Sequence, residues 1–166
     1  MICSLSARRP IRVYLIDNQS MLRAALRRWL GRQGRFAVIG SQGDVHAAIE
    51  EMRERHPDVL LLDLVLPGMN EIEAMRLVHR ELPDLPIVIV THEADEGSIS
   101  QAMRQGARAY VSKDAEEIEL LLALDSARLG VPFVSPCLVR ADASPPTHSA
   151  RRAYGDHPKV DLTRHG

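Results

Sequence analysis

The sequence predicts an α/β fold, a doubly wound parallel sheet with helices on both faces. Two observations lead there. Short apolar runs alternate regularly with amphipathic stretches along the chain. Two of the runs, Val59-Leu-Leu-Leu62 and Ile87-Val-Ile-Val90, are apolar at every position, which is how strands covered on both sides read.

The elements follow in order. Ile11-Arg-Val-Tyr-Leu-Ile16 is a first strand ending in Asp17. Met21, Leu22, Ala25, Leu26, Trp29 and Leu30 recur at helical spacing, with Arg23, Arg27, Arg28 and Arg32 opposite and Gly31 and Gly34 at the exit. Phe36-Ala-Val-Ile39 reads as a second strand, and Val45, Ala48, Ile49 and Met52 as the apolar stripe of a second helix stopped by His56-Pro57. The third strand runs into Asp63. Pro67-Gly68 makes a turn, and Ile72, Met75, Val78 and Leu82 mark a third helix. The fourth strand ends at Thr91, a shorter helix around Ile99 and Met103 closes at Gly106, and Ala109-Tyr-Val111 is a fifth strand just before Lys113. Asp114 with Glu117 three residues on has the form of a capping box for a last helix, which stops at Gly130. Met21, Met52, Met75 and Met103 read as core filler. The result is five strands alternating with five helices, joined by right-handed crossovers.

Composition bounds the rest. At 166 residues the chain suits one domain with tails. The apolar content of 45% and charged content of 26% are ordinary for a soluble globular protein. A net charge of -1 gives no general attraction for nucleic acid or an anionic membrane. Cys3 and Cys137 lack metal-ligand spacing, the opening residues MICSLSARRP are too polar for a secretory leader, and no apolar run approaches the roughly 18 residues that cross a bilayer. A cytoplasmic protein with no membrane partner is expected. Residues 1–10 read as a tail, 11–130 as the domain, and 131–166 as a linker and tail, disordered beyond about 143. Between Leu138 and Gly166 no two-helix pattern appears, so no complete DNA-binding domain is expected in this chain.

In open α/β sheets the functional crevice lies beyond the carboxyl ends of the strands. Here those ends carry Asp17-Asn18, Asp63 and Thr91, with Lys113 after the fifth strand. A carboxylate pair suits Mg²⁺, a hard ion that prefers oxygen ligands. A carboxylate can attack phosphorus to form an aspartyl phosphate, with an ammonium, a hydroxyl and the metal stabilising the equatorial oxygens.

On these residues the chain resembles a known family. Val59-Leu-Leu-Leu-Asp-Leu-Val-Leu-Pro-Gly-Met69 looks like the phosphoacceptor segment of response-regulator receivers in two-component signalling. Gly106-Ala-Arg-Ala-Tyr-Val-Ser-Lys-Asp-Ala115 looks like their fifth strand and lysine loop, while Leu15-Ile-Asp-Asn-Gln19 and Thr91 fit their acidic and hydroxyl positions. The resemblance covers Ile11 to Pro136 and is closest to the subfamily whose receivers precede a LuxR-type helix-turn-helix domain; Asp161-Leu-Thr-Arg164 faintly resembles the opening of that domain.

The resemblance implies a flavodoxin-like (βα)5 receiver with strand order 2-1-3-4-5. It makes Asp63 the phosphoacceptor, with Asp17, Asn18, Asp63 and the Val65 carbonyl holding Mg²⁺. Thr91 and Lys113 would bind the phosphoryl group, and Thr91 and Tyr110 would act as the switch. A histidine kinase or small phosphoryl donor would supply the group, and any DNA contact would come through an output domain not present in this chain. No catalysis is implied beyond self-phosphorylation and dephosphorylation at Asp63. The outer face of the last helix, with Ile118, Leu122 and Leu129, would form a homodimer or output surface together with the fourth helix and fifth strand.

The chain departs from the family at three places. Asn18 stands where a second acid is usual, which weakens metal binding by one formal charge. His92 follows Thr91 in place of a small residue, and Asn70-Glu71 replaces the usual Asp-Gly. These departures support an alternative: an atypical pseudo-receiver acting as a phosphorylation-independent interaction and dimerisation module.

Each residue also has a bland reading. Asp63 could cap the next helix, Tyr110 could fill the core, and His92 could be a solvated loop residue. The arginines of the first helix read as a solvated face, or else as a docking surface for an acidic partner or kinase domain. The last helix could pack on Val131-Pro-Phe-Val134 rather than on a second copy. Two other classes do poorly. A flavodoxin wants glycine- or hydroxyl-rich phosphate loops, and a haloacid-dehalogenase-type phosphatase wants a second Asp where Val65 stands.

Overall fold

The computed structural model describes residues 9–63, 65–92 and 95–140. A parallel sheet runs in the order β2-β1-β3-β4-β5-β6. Its strands are β1 (Ile11–Ile16), β2 (Phe36–Gln42), β3 (Val59–Asp63), β4 (Ile87–Thr91), β5 (Ala109–Ser112) and β6 (Phe133–Val134). The helices are α1 (Ser20–Arg32), α2 (Val45–Arg55), α3 (Glu71–Glu81), α4 (Glu96–Arg104), α5 (Glu117–Leu129) and α6 (Pro136–Arg140).

The side chains of each strand alternate between two cores, following the two-residue period of a strand. Tyr14, Ile16, Leu60, Leu62, Ile87, Ile89 and Tyr110 meet α2, α3, α4 and α6 on one face. Val13, Leu15, Val59, Leu61, Val88 and Val111 meet α1 and α5 on the other. This two-sided burial is why the central runs show no polar alternation.

Four expectations need correction. The sheet has six strands rather than five, because Phe133 and Val134 pair with Ala109 and Tyr110 along the outer edge of β5. Residues 131–140, read as linker, therefore belong to the fold; those from 141 onward, including the expected polar tail, lie outside the described residues. Asp114 does not cap α5, which begins at Glu117 with no side-chain cap on its first turn. The capping box sits instead at α3, where the Asn70 side chain accepts from the Glu73 N–H and the Glu73 carboxylate reaches back to the Asn70 N–H. The Asn70-Glu71 departure is thus a helix start. Met52 and Met75 are core residues, but Met21 is 86% exposed.

Strand β2 is longer than expected. The β1–β2 register slips between Val13 and Tyr14, which pair with Val38 and Gly40, so Ile39 is a bulged residue. Gly40 faces the Tyr14 ring, and a Cβ there would collide with it. The Tyr14 hydroxyl donates to Glu51 on α2 at 3.1 Å, and Gln42 Nε2 donates to the same carboxylate at 2.5 Å. Those bonds hold Glu51 below the usual carboxylate range.

Candidate functional site

Asp17, Asp63 and Thr91, which the sequence places at strand ends, are all buried, each no more than 4% exposed. They assemble because the parallel register carries β1, β3, β4 and β5 to the same end of the sheet: Asp63 lies beside Val90, and Thr91 beside Ser112. Lys113 completes the group from the turn after β5. Its Nζ lies 3.0 Å from Asp63 Oδ2 and 3.4 Å from Asp17 Oδ2, with all three side chains at most 7% exposed. One ammonium thus offsets two buried carboxylates that would otherwise repel each other. The contact to Asp63 is an ion pair that falls short of hydrogen-bond alignment. Asp63 Oδ1 accepts from the Val65 N–H at 3.4 Å.

The backbone of the lysine turn is bonded on every side. Lys113 N–H donates to the Thr91 carbonyl at 2.6 Å. Ser112 N–H donates to Ser135 Oγ at 3.3 Å, and Ser112 Oγ accepts from Asp114 N–H at 3.1 Å. The acidic turn is pinned as well. Asp17 Oδ1 accepts from Gln19 N–H at 2.6 Å, and Arg23 Nη1 donates to the Asp17 carbonyl at 2.5 Å. The sequence places Arg23 on a solvated face; its guanidinium instead reaches back from α1 to the Asp17 carbonyl. Neither Ser135 nor Arg23 carries a sequence signal that points to the pocket, since a lone serine and one arginine among several are both commonplace.

The departures from the family fall at the rim. Asn18 is exposed. His92 is also at the surface, with Nδ1 3.9 Å from Asp114 Oδ1, as the solvated-loop reading expects. Among the described residues no three His, Cys, Asp or Glu side chains are placed together to hold a metal. The two buried carboxylates that do converge, Asp17 and Asp63, are hard oxygen donors and fit Mg²⁺ that retains several waters.

Tyr110 points inward and is fully buried, with no hydrogen-bond partner for its hydroxyl among the described residues. Burial pushes the phenol up strongly, helped by the carboxylates of Glu71 and Asp95. Leu124 is buried and Leu120 and Leu121 are half-buried, while Ile118, Leu122 and Leu129 are exposed, which is the register expected for α5. Phe133 packs into the core beneath α5 but leaves those three uncovered. A groove of about 470 Å³ separates α1 from α5, floored by Leu26, Trp29, Val90 and Leu120 and reaching Lys113 and His92. No described helix is long and apolar enough to cross a membrane.

Known proteins are similar to this chain in sequence and fold. The chain is 34% identical over 154 residues to the transcriptional regulatory protein LiaR of Bacillus subtilis, spanning 93% of this chain and 72% of that protein. It is 31% identical to the nitrate/nitrite response regulator NarL of Escherichia coli, over 81% of this chain and 62% of NarL. A LuxR-family two-component response regulator from Aurantimonas matches in structure with a TM-score of 0.75 at 30% identity, over 81% of this chain and 96% of that one. The receiver domain of the NarL regulator of Mycobacterium tuberculosis matches at 0.64 and 29%, over 72% and 97%. The profile described as the response regulator receiver domain spans residues 13–125, from β1 through the acidic turn, Asp63, Thr91 and Lys113 to α5, and the chain belongs to that family.

Proposed function

We propose that this receiver accepts a phosphoryl group on Asp63. The observation that carries the reading is the Asp63 carboxylate, buried at the end of β3 with the Lys113 ammonium 3.0 Å from its Oδ2. In the reaction an Asp63 oxygen forms a bond to phosphorus as the bond to the donor breaks. A phosphohistidine of a histidine kinase leaves as imidazole, and an acyl phosphate as carboxylate. Asp17, Asp63, the Asn18 amide oxygen and the Val65 carbonyl would hold Mg²⁺, which would supply positive charge to offset that on the phosphoryl oxygens. Lys113 and the Thr91 hydroxyl take the remaining equatorial oxygens. With Asn18 in place of an acid, the metal requirement shifts to higher concentration.

Thr91 and Tyr110 form the switch, and the signal leaves through the face made by α4, β5 and α5. Ile118, Leu122 and Leu129 give that face an apolar stripe suited to a second copy of the chain. LiaR is a transcriptional regulatory protein in name, so DNA control, exerted in the cytoplasm through an output domain, completes the reading.

The test is intact mass after incubation with acetyl phosphate and Mg²⁺. One phosphoryl adduct is expected in the wild type, and none in Asp63→Asn or without Mg²⁺. If the wild type takes up no phosphoryl group at any Mg²⁺ concentration, the reading falls and the pseudo-receiver alternative replaces it.

A further inference from the structure

We propose that Ser135 is a positioning residue for Lys113, so that the β6–α6 segment is energetically coupled to phosphoryl occupancy at Asp63. The proposal rests on the phosphoacceptor reading and extends it to a part of the chain that carries no pocket residue.

The outer edge of β5, with the residue just before it, presents three polar backbone groups, and one short segment satisfies all three. Arg108 C=O accepts from Phe133 N–H at 3.2 Å, and Tyr110 C=O accepts from Ser135 N–H at 2.9 Å. Beyond that point β6 has ended, and no strand remains to pair Ser112. The Ser135 side chain takes over, its Oγ accepting the Ser112 N–H at 3.3 Å. Ser135 is fully buried and Ser112 nearly so, so water cannot substitute and loss of the hydroxyl strands a buried donor. Ser112 in turn bonds Asp114 through its own hydroxyl, and Lys113 lies between them. The Lys113 backbone is therefore set from one side by Thr91 and from the other by Ser135, through Ser112.

The segment is anchored at its far end too. Leu138 is buried in the same core cluster as Tyr110, and its N–H donates to the Ser135 carbonyl at 3.0 Å. The turn that aims the ammonium at Asp63 and the segment that leads out of the domain thus share one buried hydroxyl. Coupling of this kind is reciprocal. A ligand that fixes Lys113 must tighten the docking of β6, and loosening β6 must weaken that ligand by the same factor.

The experiment uses the full chain with beryllofluoride and Mg²⁺ as a phosphoryl mimic. Affinity is read from the fluorescence of Trp29, the single tryptophan, which lines the groove that ends at Lys113. Amide hydrogen exchange is followed at Phe133 and Ser135. Ser135→Ala is expected to weaken beryllofluoride binding roughly two- to ten-fold, the range for one buried hydrogen bond, and Ser135→Thr to restore it. In the wild type, beryllofluoride should slow exchange at both amides by a similar factor. If the wild type binds but Ser135→Ala binds equally well, and the two amides exchange at the same rate with and without ligand, Ser135 is merely structural and the proposal is overturned. Because the exchange measurement needs no variant, it decides the matter even if Ser135→Ala does not fold. A wild type that fails to bind beryllofluoride overturns the phosphoacceptor reading instead.

Discussion

The two faces of the sheet are covered very differently. On one, α2 buries Val45, Ala48, Ile49 and Met52, α3 buries Ala74, Met75 and Val78, and Tyr14 closes against Gly40. On the other, α1 buries only Leu30, its Met21 projects into solvent, and the groove beside α5 stays open up to Lys113. Both faces use the same kind of strand, so the difference lies in the helices. The closed face holds the strands in register and so fixes where Asp17 and Asp63 meet. On the open face the groove runs up to Lys113, whose side chain is itself buried.

Substitutions on each face test this contrast. The largest effect is expected on the closed face, where Met52→Ala should cost about 2–5 kcal/mol in chemical denaturation. Leu26→Ala, on the floor of the groove, should cost under about 1.5 kcal/mol because part of its surface is already wet. Equal losses would show that the two faces are equally packed. Gly40→Ala comes next, at about 1–3 kcal/mol, because the added Cβ meets a buried ring whose hydroxyl is tied to Glu51. Asn70→Ala removes the capping box of α3 and should cost about 1 kcal/mol.

The smallest effect concerns pH. Burial, together with the neighbouring Asp95, raises the Glu71 carboxyl above its ordinary value. A raised carboxyl destabilises the fold when ionised: the cost is absent below the ordinary carboxylate range and complete above the raised value. Glu71→Gln should therefore stabilise the protein at neutral pH by at most about 0.5 kcal/mol after solvent screening, and by nothing in acid. A gain that persists in acid would assign the effect to packing rather than charge.

Much of this arrangement is legible in the sequence because it follows from burial. Val59–Leu62 and Ile87–Val90 can only be central parallel strands, and a sheet of parallel strands brings Asp17, Asp63, Thr91 and Lys113 to one end. What is not legible depends on contacts without a period. Two residues after a proline make β6, too short for any alternation to show, and Ser135 matters only because β5 extends past that strand. Arg23 lies opposite the apolar stripe of α1, yet a guanidinium is long enough to turn back onto the Asp17 carbonyl. Asp114 and Asn70 each stand three residues before a glutamate, yet only Asn70 caps a helix: α5 starts at Glu117, whereas the Asn70 side chain accepts from the Glu73 N–H at the start of α3.

On the proposed mechanism Asp63 itself carries the phosphoryl group. Borohydride reduction after treatment with acetyl phosphate and Mg²⁺, followed by peptide sequencing, tests it most directly, because an aspartyl phosphate is reduced to homoserine and a free carboxylate is not. Homoserine at position 63 alone is the predicted result. Homoserine at Asp17, or at no position in a chain that still takes up the phosphoryl group, would contradict the account.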